Sequence, residues 1–173
     1  MEPLLHFVIP FIAFMLLGVD LRKSFLLSLL ALTPDLDALF LVHRSFTHSL
    51  VALLAASTPL LLLLYKYRRD AFKNGVMGIL SIASHIALDL PAGYTPLLWP
   101  LYNYSIWIQT ELSAHLGSTL TMVLDARILT EPIMFEVAES LDTSLFTSTG
   151  LIAALVVITP LFVKRIGWKI RHA

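Results

Sequence analysis

The sequence predicts an all-α polytopic transmembrane helix bundle of about five spans, with a broken second span and an external interfacial loop before the last. Three observations carry that prediction. Of the 173 residues, 57% are hydrophobic and only 14% charged, with a mean hydropathy of +0.81, so lipid is the expected solvent for most of the surface. Apolar runs recur at bilayer-crossing length. The Lys and Arg clusters all fall on one face if the chain crosses five times. The 12 acidic and 12 basic residues cancel, without the basic excess of nucleic-acid binders, so no nucleic-acid partner is expected. The absence of Cys excludes a disulfide framework and thiolate chemistry.

The elements follow in order. Met1-Glu2-Pro3 lacks the basic start of a secretory signal, so the run Leu4 to Val19 is expected as a retained first span. Ser24 to Val42 is long enough to cross but contains Pro34, Asp35 and Asp37. It is either a kinked span or a short helix with a re-entrant piece. Phe46 to Tyr65 and Phe72 to Leu90 are the third and fourth spans, and Leu151 to Val163 the last. Arg22 and Lys23, then Lys66, Arg68, Arg69 and Lys73, then Lys164, Arg165, Lys169 and Arg171 form the basic clusters. They place the C-terminus in the cytoplasm and the N-terminus outside, in a multi-pass protein of the plasma or inner membrane.

The external segment 91–150 carries Glu111, Asp125, Glu131, Glu136, Glu139 and Asp142 against a lone Arg127. Its first part holds Trp99, Tyr102, Tyr104 and Trp107, aromatics that settle at a headgroup boundary. The expected organisation is one membrane domain over residues 1–173, with a site core in 1–100, the external loop in 91–150, and the last span and basic tail in 151–173.

On that topology the ionisable residues converge. His6 lies near the outer end of the first span, Asp35 and Asp37 in the outward half of the second, and His43, Arg44 and His48 around the next turn. His85 and Asp89 lie near the outer end of the fourth span. An Asp at the centre of a transmembrane helix costs about +2.5 to +3.5 kcal/mol on insertion scales. Partners, a wet cavity or a metal cation offset that cost. Four His beside three Asp suit zinc, with manganese or magnesium as alternatives, so a divalent metal cofactor is expected. The four-residue spacing of His85 and Asp89 stacks them on one helix face, their Cβ atoms about 5–6 Å apart.

Plainer readings compete. Thr33-Pro34-Asp35 makes a good helix start, with Thr as cap, Pro at the first position and Asp at the positive end of the dipole. Ser45-Phe46-Thr47-His48 reads equally as a capped helix start, and a lone His6 or His85 as a hydrogen-bonded core residue. Neither reading accounts for Asp37, His43 and His48 following so closely on Asp35. His115 and His172 lack such company and are assigned to the loop and tail.

The order Pro34-Asp35-Leu36-Asp37, then His43-Arg44-Ser45-Phe46-Thr47-His48-Ser49, then His85-Ile86-Ala87-Leu88-Asp89 resembles the YdjM-type family of membrane-bound metal-dependent hydrolases. The resemblance covers about the first 100 residues, including His6 and the run Thr95-Pro96-Leu97-Leu98-Trp99-Pro100. The His-x-x-x-Asp element is more loosely similar to the helical zinc-dependent phospholipase C and P1 nuclease group. The resemblance implies a metal-dependent hydrolase of the inner or plasma membrane.

The expected activity is cleavage of a phosphoester in a lipid or lipid-linked substrate by metal-activated water, with membrane lipid as the surrounding partner. Asp35, Asp37, His48 and Asp89 are the expected catalytic set. His6, Asp35, Asp37, His43, His48, His85 and Asp89 are the expected metal set. Arg44 is assigned to a substrate phosphate and Thr47 to positioning. Two other classes compete: a cation or proton transporter or channel using the same cluster, and a membrane scaffold built on a structural metal.

Overall fold

The computed structural model describes residues 3–42, 44–116, 120–135, 137 and 147–171, with side chains for all of these but Leu120 and 161–171. Helix α1 (Pro3–Leu16) ends in a turn at Gly18, whose φ of 81° suits a residue without Cβ. Asp20 then caps α2 (Leu21–Leu29), its Oδ1 accepting from the Lys23 amide at 3.0 Å. The chain tightens into 3-10 turns at Leu30–Leu32 and Pro34–Phe40 and stops at Leu41, which takes the left-handed conformation at φ 57°. A third 3-10 turn, Phe46–His48, is capped by Ser45. Ser49 caps α3 (Leu50–Tyr67), and only Arg68 separates that helix from α4 (Arg69–Asp89).

Burial runs opposite to that of a soluble domain. His6, Ser24, Ser28, His48, Ser49, Ser81, His85 and Thr95 are fully buried, while Leu54, Leu60, Leu62 and Leu63 of α3 are exposed. A polar interior inside an apolar shell is the arrangement lipid favours, because water is not available to satisfy outward polar groups. The apolar packing centres on α1 against α5 (Ser148–Arg171), through Val8, Ile12 and Ala154. The segment after α4 folds back onto the start of α3: Leu50 N–H donates to the Leu97 carbonyl at 2.9 Å, and Ser49 Oγ to that of Trp99 at 2.5 Å.

Two expectations need correction. The protein is not an all-α bundle of five spans with an external loop. Residues Tyr104–Leu116 and Leu120–Pro132 form strands β1 and β2 of a two-stranded antiparallel ribbon. The alternation Ile106, Ile108, Leu112 against Trp107, Gln109, Glu111 has the period of two that a strand requires. Counting acids across the segment as a whole conceals that period. Among the described residues, only α3 and α4 have the length and apolar composition to cross a membrane. Helix α1, at 14 residues, reaches about 21 Å, short of a ~30 Å hydrocarbon layer. The expected second span is nine helical residues followed by 3-10 turns, because Pro34 has no N–H to continue a helix.

Candidate metal centre

Three elements deliver the side chains. The Pro34–Phe40 turn carries Asp35 and Asp37, the Phe46–His48 turn carries His48, and the last turn of α4 carries His85 and Asp89 one above the other. Asp35 Oδ1, His48 Nε2, His85 Nε2 and Asp89 Oδ2 meet at one point, all within 4.8 Å of one another. The two Nε2 atoms are 3.2 Å apart. Asp35 Oδ1 lies 3.5 Å from His48 Nε2 and 3.3 Å from that of His85. Asp89 Oδ2 lies 3.3 and 3.4 Å from the same two nitrogens. His48, His85 and Asp89 are buried, and Asp35 is 23% exposed, which leaves the cluster one edge toward the outside.

The other predicted residues surround this group of four. The Asp37 carboxylate sits behind His48. Its Oδ2 is 3.3 Å from Nδ1, accepts from the Ser45 amide at 2.8 Å, and lies 3.0 Å from Thr47 Oγ1. That hydroxyl has one proton for two acceptors, Asp37 and the Pro34 carbonyl at 3.1 Å. Thr47 thus ties the two turns together. His6 is fully buried, stacks on the His85 ring at 3.8 Å between centroids, and brings Nε2 to 3.4 Å from Asp89 Oδ1.

Arg44 reaches the same Asp89 oxygen with Nη2 at 3.5 Å and donates from Nη1 to the Tyr94 carbonyl at 3.3 Å. Its backbone is left-handed, φ 58°. The guanidinium lies on Gly93, where a Cβ would fall 2.3 Å from Nη1. Sequence reasoning missed the Gly93 and Tyr94 seat, whose one signal was a glycine between the last helix and the aromatic run. His43 lies outside the described residues, as do His172, Glu136, Glu139 and Asp142. His115 is exposed on β1, opposite Thr121, and Arg127 pairs with Asp125 at 2.6 Å.

Burial opposes charge on Asp35, Asp37 and His48, yet pairing between imidazole and carboxylate outweighs it. Hydrogen bonds from His48 and His85 hold Asp35 below the usual carboxylate range, and those from His48 and Ser45 do the same for Asp37. Against burial, hydrogen bonds to Asp35, Asp37 and Asp89 push His48 up to about 10. The pocket therefore calls for positive charge between its carboxylates. A divalent cation held by Asp35, His48, His85 and Asp89 meets that demand, and this His and Asp group could hold one.

Fold and site together describe a membrane protein that buries a candidate metal centre at one end of the two helices, α3 and α4, that are long and apolar enough to cross a membrane. The profile of the YdjM inner membrane protein family matches residues 1–170, and the chain belongs to that family. Comparison with curated proteins and with solved structures gives no match.

Proposed function

We propose that the protein is a metal-dependent hydrolase that cleaves a phosphoester in a lipid or lipid-linked substrate. The observation that carries this reading is the spacing of the four donor atoms. A tetrahedral ion with bonds of about 2.0–2.1 Å keeps its ligand atoms about 3.3–3.4 Å apart. Five of the six separations among Asp35 Oδ1, His48 Nε2, His85 Nε2 and Asp89 Oδ2 are 3.2 to 3.5 Å. Two imidazoles with two carboxylates favour zinc, with manganese as the harder alternative. Bound there, the ion would lower the pKa of a coordinated water from 15.7 to about 7 and polarise a phosphoryl oxygen.

The remaining residues have supporting work. Asp37 fixes the ring orientation of His48, and Thr47 fixes Asp37. Arg44 supplies a planar, fixed charge beside Asp89, suited to a phosphate oxygen approaching the exposed edge at Asp35. Lipid is favoured because the centre lies where α4 ends and the aromatic run begins, the level at which a headgroup would sit. The reading keeps the active face and the N-terminus outside and the basic tail in the cytoplasm.

The test pairs metal analysis of the gently purified protein with hydrolysis of bis-p-nitrophenyl phosphate and of phospholipid in mixed micelles. Stoichiometric zinc or manganese with turnover is expected, both abolished in His85→Ala and Asp89→Ala. Protein that retains its metal but turns over no phosphoester would mark a structural centre instead. Cation flux across liposomes in the absence of turnover would favour the transporter.

A further inference from the structure

The largest part of the molecule that the metal centre does not use is the β1–β2 ribbon. In an antiparallel pair, residues directly opposite one another lie on the same face. The register sets Ile108 against Ile128, Leu112 against Leu124 and Ala114 against Met122 on one face. On the other it sets Ser105 against Glu131, Gln109 against Arg127 and Glu111 against Asp125. All four charged residues of the two strands, Glu111, Asp125, Arg127 and Glu131, therefore share one face. The opposite face carries none, yet Leu112, Leu116, Met122, Leu124 and Ile128 on it are 66 to 87% exposed. An apolar strip of this length is not left bare to water by a soluble monomer.

The root of the ribbon indicates what covers that strip. Ile108 N–H donates to the Leu90 carbonyl at 2.9 Å, and Trp107 Nε1 to that of Pro91 at 3.2 Å. Both acceptors immediately follow α4, one of the two helices long and apolar enough to cross the membrane. The ribbon is thus anchored where α4 leaves the apolar layer. Tyr94 packs edge-on against Trp107, and Tyr102 lies tilted against Tyr104, at the same root. Amphipathic rings of this kind settle at a headgroup boundary. Beyond Ile106, which pairs with Thr95, and Ile108, which bonds to Leu90, the outer edges of both strands are unpaired among the described residues. Peptide groups there need water or headgroups, which forbids full immersion in hydrocarbon and permits a position in the boundary layer.

We propose that the β1–β2 ribbon lies along the bilayer surface, its uncharged face set into the interfacial lipid and its charged face toward water. The proposal does not depend on the hydrolase reading. It adds an extended lipid contact rooted on Leu90 and Pro91, directly after Asp89 of the centre, through which a lipid molecule could be presented from the side.

The chain has no cysteine, so single-cysteine variants can be labelled without background. The full-length protein is labelled with the environment-sensitive probe NBD in Leu112→Cys, Leu124→Cys and Ile128→Cys on one face. Glu111→Cys, Thr121→Cys and Asp125→Cys serve for the other. All six are reconstituted in phosphatidylethanolamine–phosphatidylglycerol vesicles. Probes at 112, 124 and 128 are expected to be blue-shifted, quenched by nitroxide lipid and shielded from iodide. Those at 111, 121 and 125 are expected to be quenched by iodide alone. Equal quenching of all six by iodide overturns the proposal. Shielding of the uncharged face without quenching by nitroxide lipid also overturns it, and assigns that face to a second copy of the chain.

Discussion

The Asp37 carboxylate, 2.8 Å from the Ser45 amide and 3.3 Å from His48 Nδ1, acts on the centre through the imidazole. Because a carboxylate only accepts, it favours the proton on Nδ1 and leaves the Nε2 lone pair facing Asp35, His85 and Asp89. In Asp37→Asn the amide can still accept from Ser45 but can also donate to Nδ1, which permits the wrong tautomer. Zinc affinity measured by calorimetry is expected to fall about 10- to 100-fold with the helical circular dichroism unchanged. Asp35→Asn removes a donor atom from the group of four and should abolish stoichiometric binding. Equal losses in the two variants would place Asp37 among the direct ligands.

At the level of elements, the Asp35 turn depends on close approach of α4. A Cβ at Gly78 would fall 2.8 Å from Leu30 Cδ1, in the 3-10 turn that leads into Pro34–Phe40. Gly78→Val crowds the far end of the flexible Leu30 side chain, which is 38% exposed and can turn aside, so the cost falls below the roughly 1–3 kcal/mol of overfilling a packed interior. A lower thermal midpoint in detergent micelles is expected. Metal affinity should hold, since Leu30 Cδ1 can turn aside without moving the backbone that carries Asp35. An unchanged midpoint would show that α2 and its turns pack loosely on α4. The ribbon has a different basis: its register sorts charge onto one face, so its place is decided by the solvent each face meets.

Across the whole molecule, the centre joins segments that are distant in sequence, with donors from a turn after α2, a turn before α3 and the end of α4. A cation bound only by the folded protein stabilises it by about 2.7 kcal/mol at a hundredfold excess over its dissociation constant. Zinc addition is therefore expected to raise the thermal midpoint, chelation to reverse the rise, and His85→Ala to eliminate it. A rise that persists in His85→Ala would locate the metal elsewhere.

The sequence by itself determined the solvent and the ingredients of the site. Composition identified lipid, since hydropathy sums over residues whatever their arrangement. His85 and Asp89 were legible as a pair because four residues make about one helical turn. Asp35, Asp37 and His48 were legible as costly groups in apolar surroundings. Tertiary structure alone decided their division of labour, because the distance between two turns depends on how the chain folds back between them. It set Asp35 into the group of four and Asp37 behind His48, and seated Arg44 on Gly93. It also decided the architecture. Nine residues of α2 and a two-stranded ribbon replace an expected span and an expected loop, because Pro34 interrupts a helix and pairing with a partner strand is what makes an alternating segment a strand.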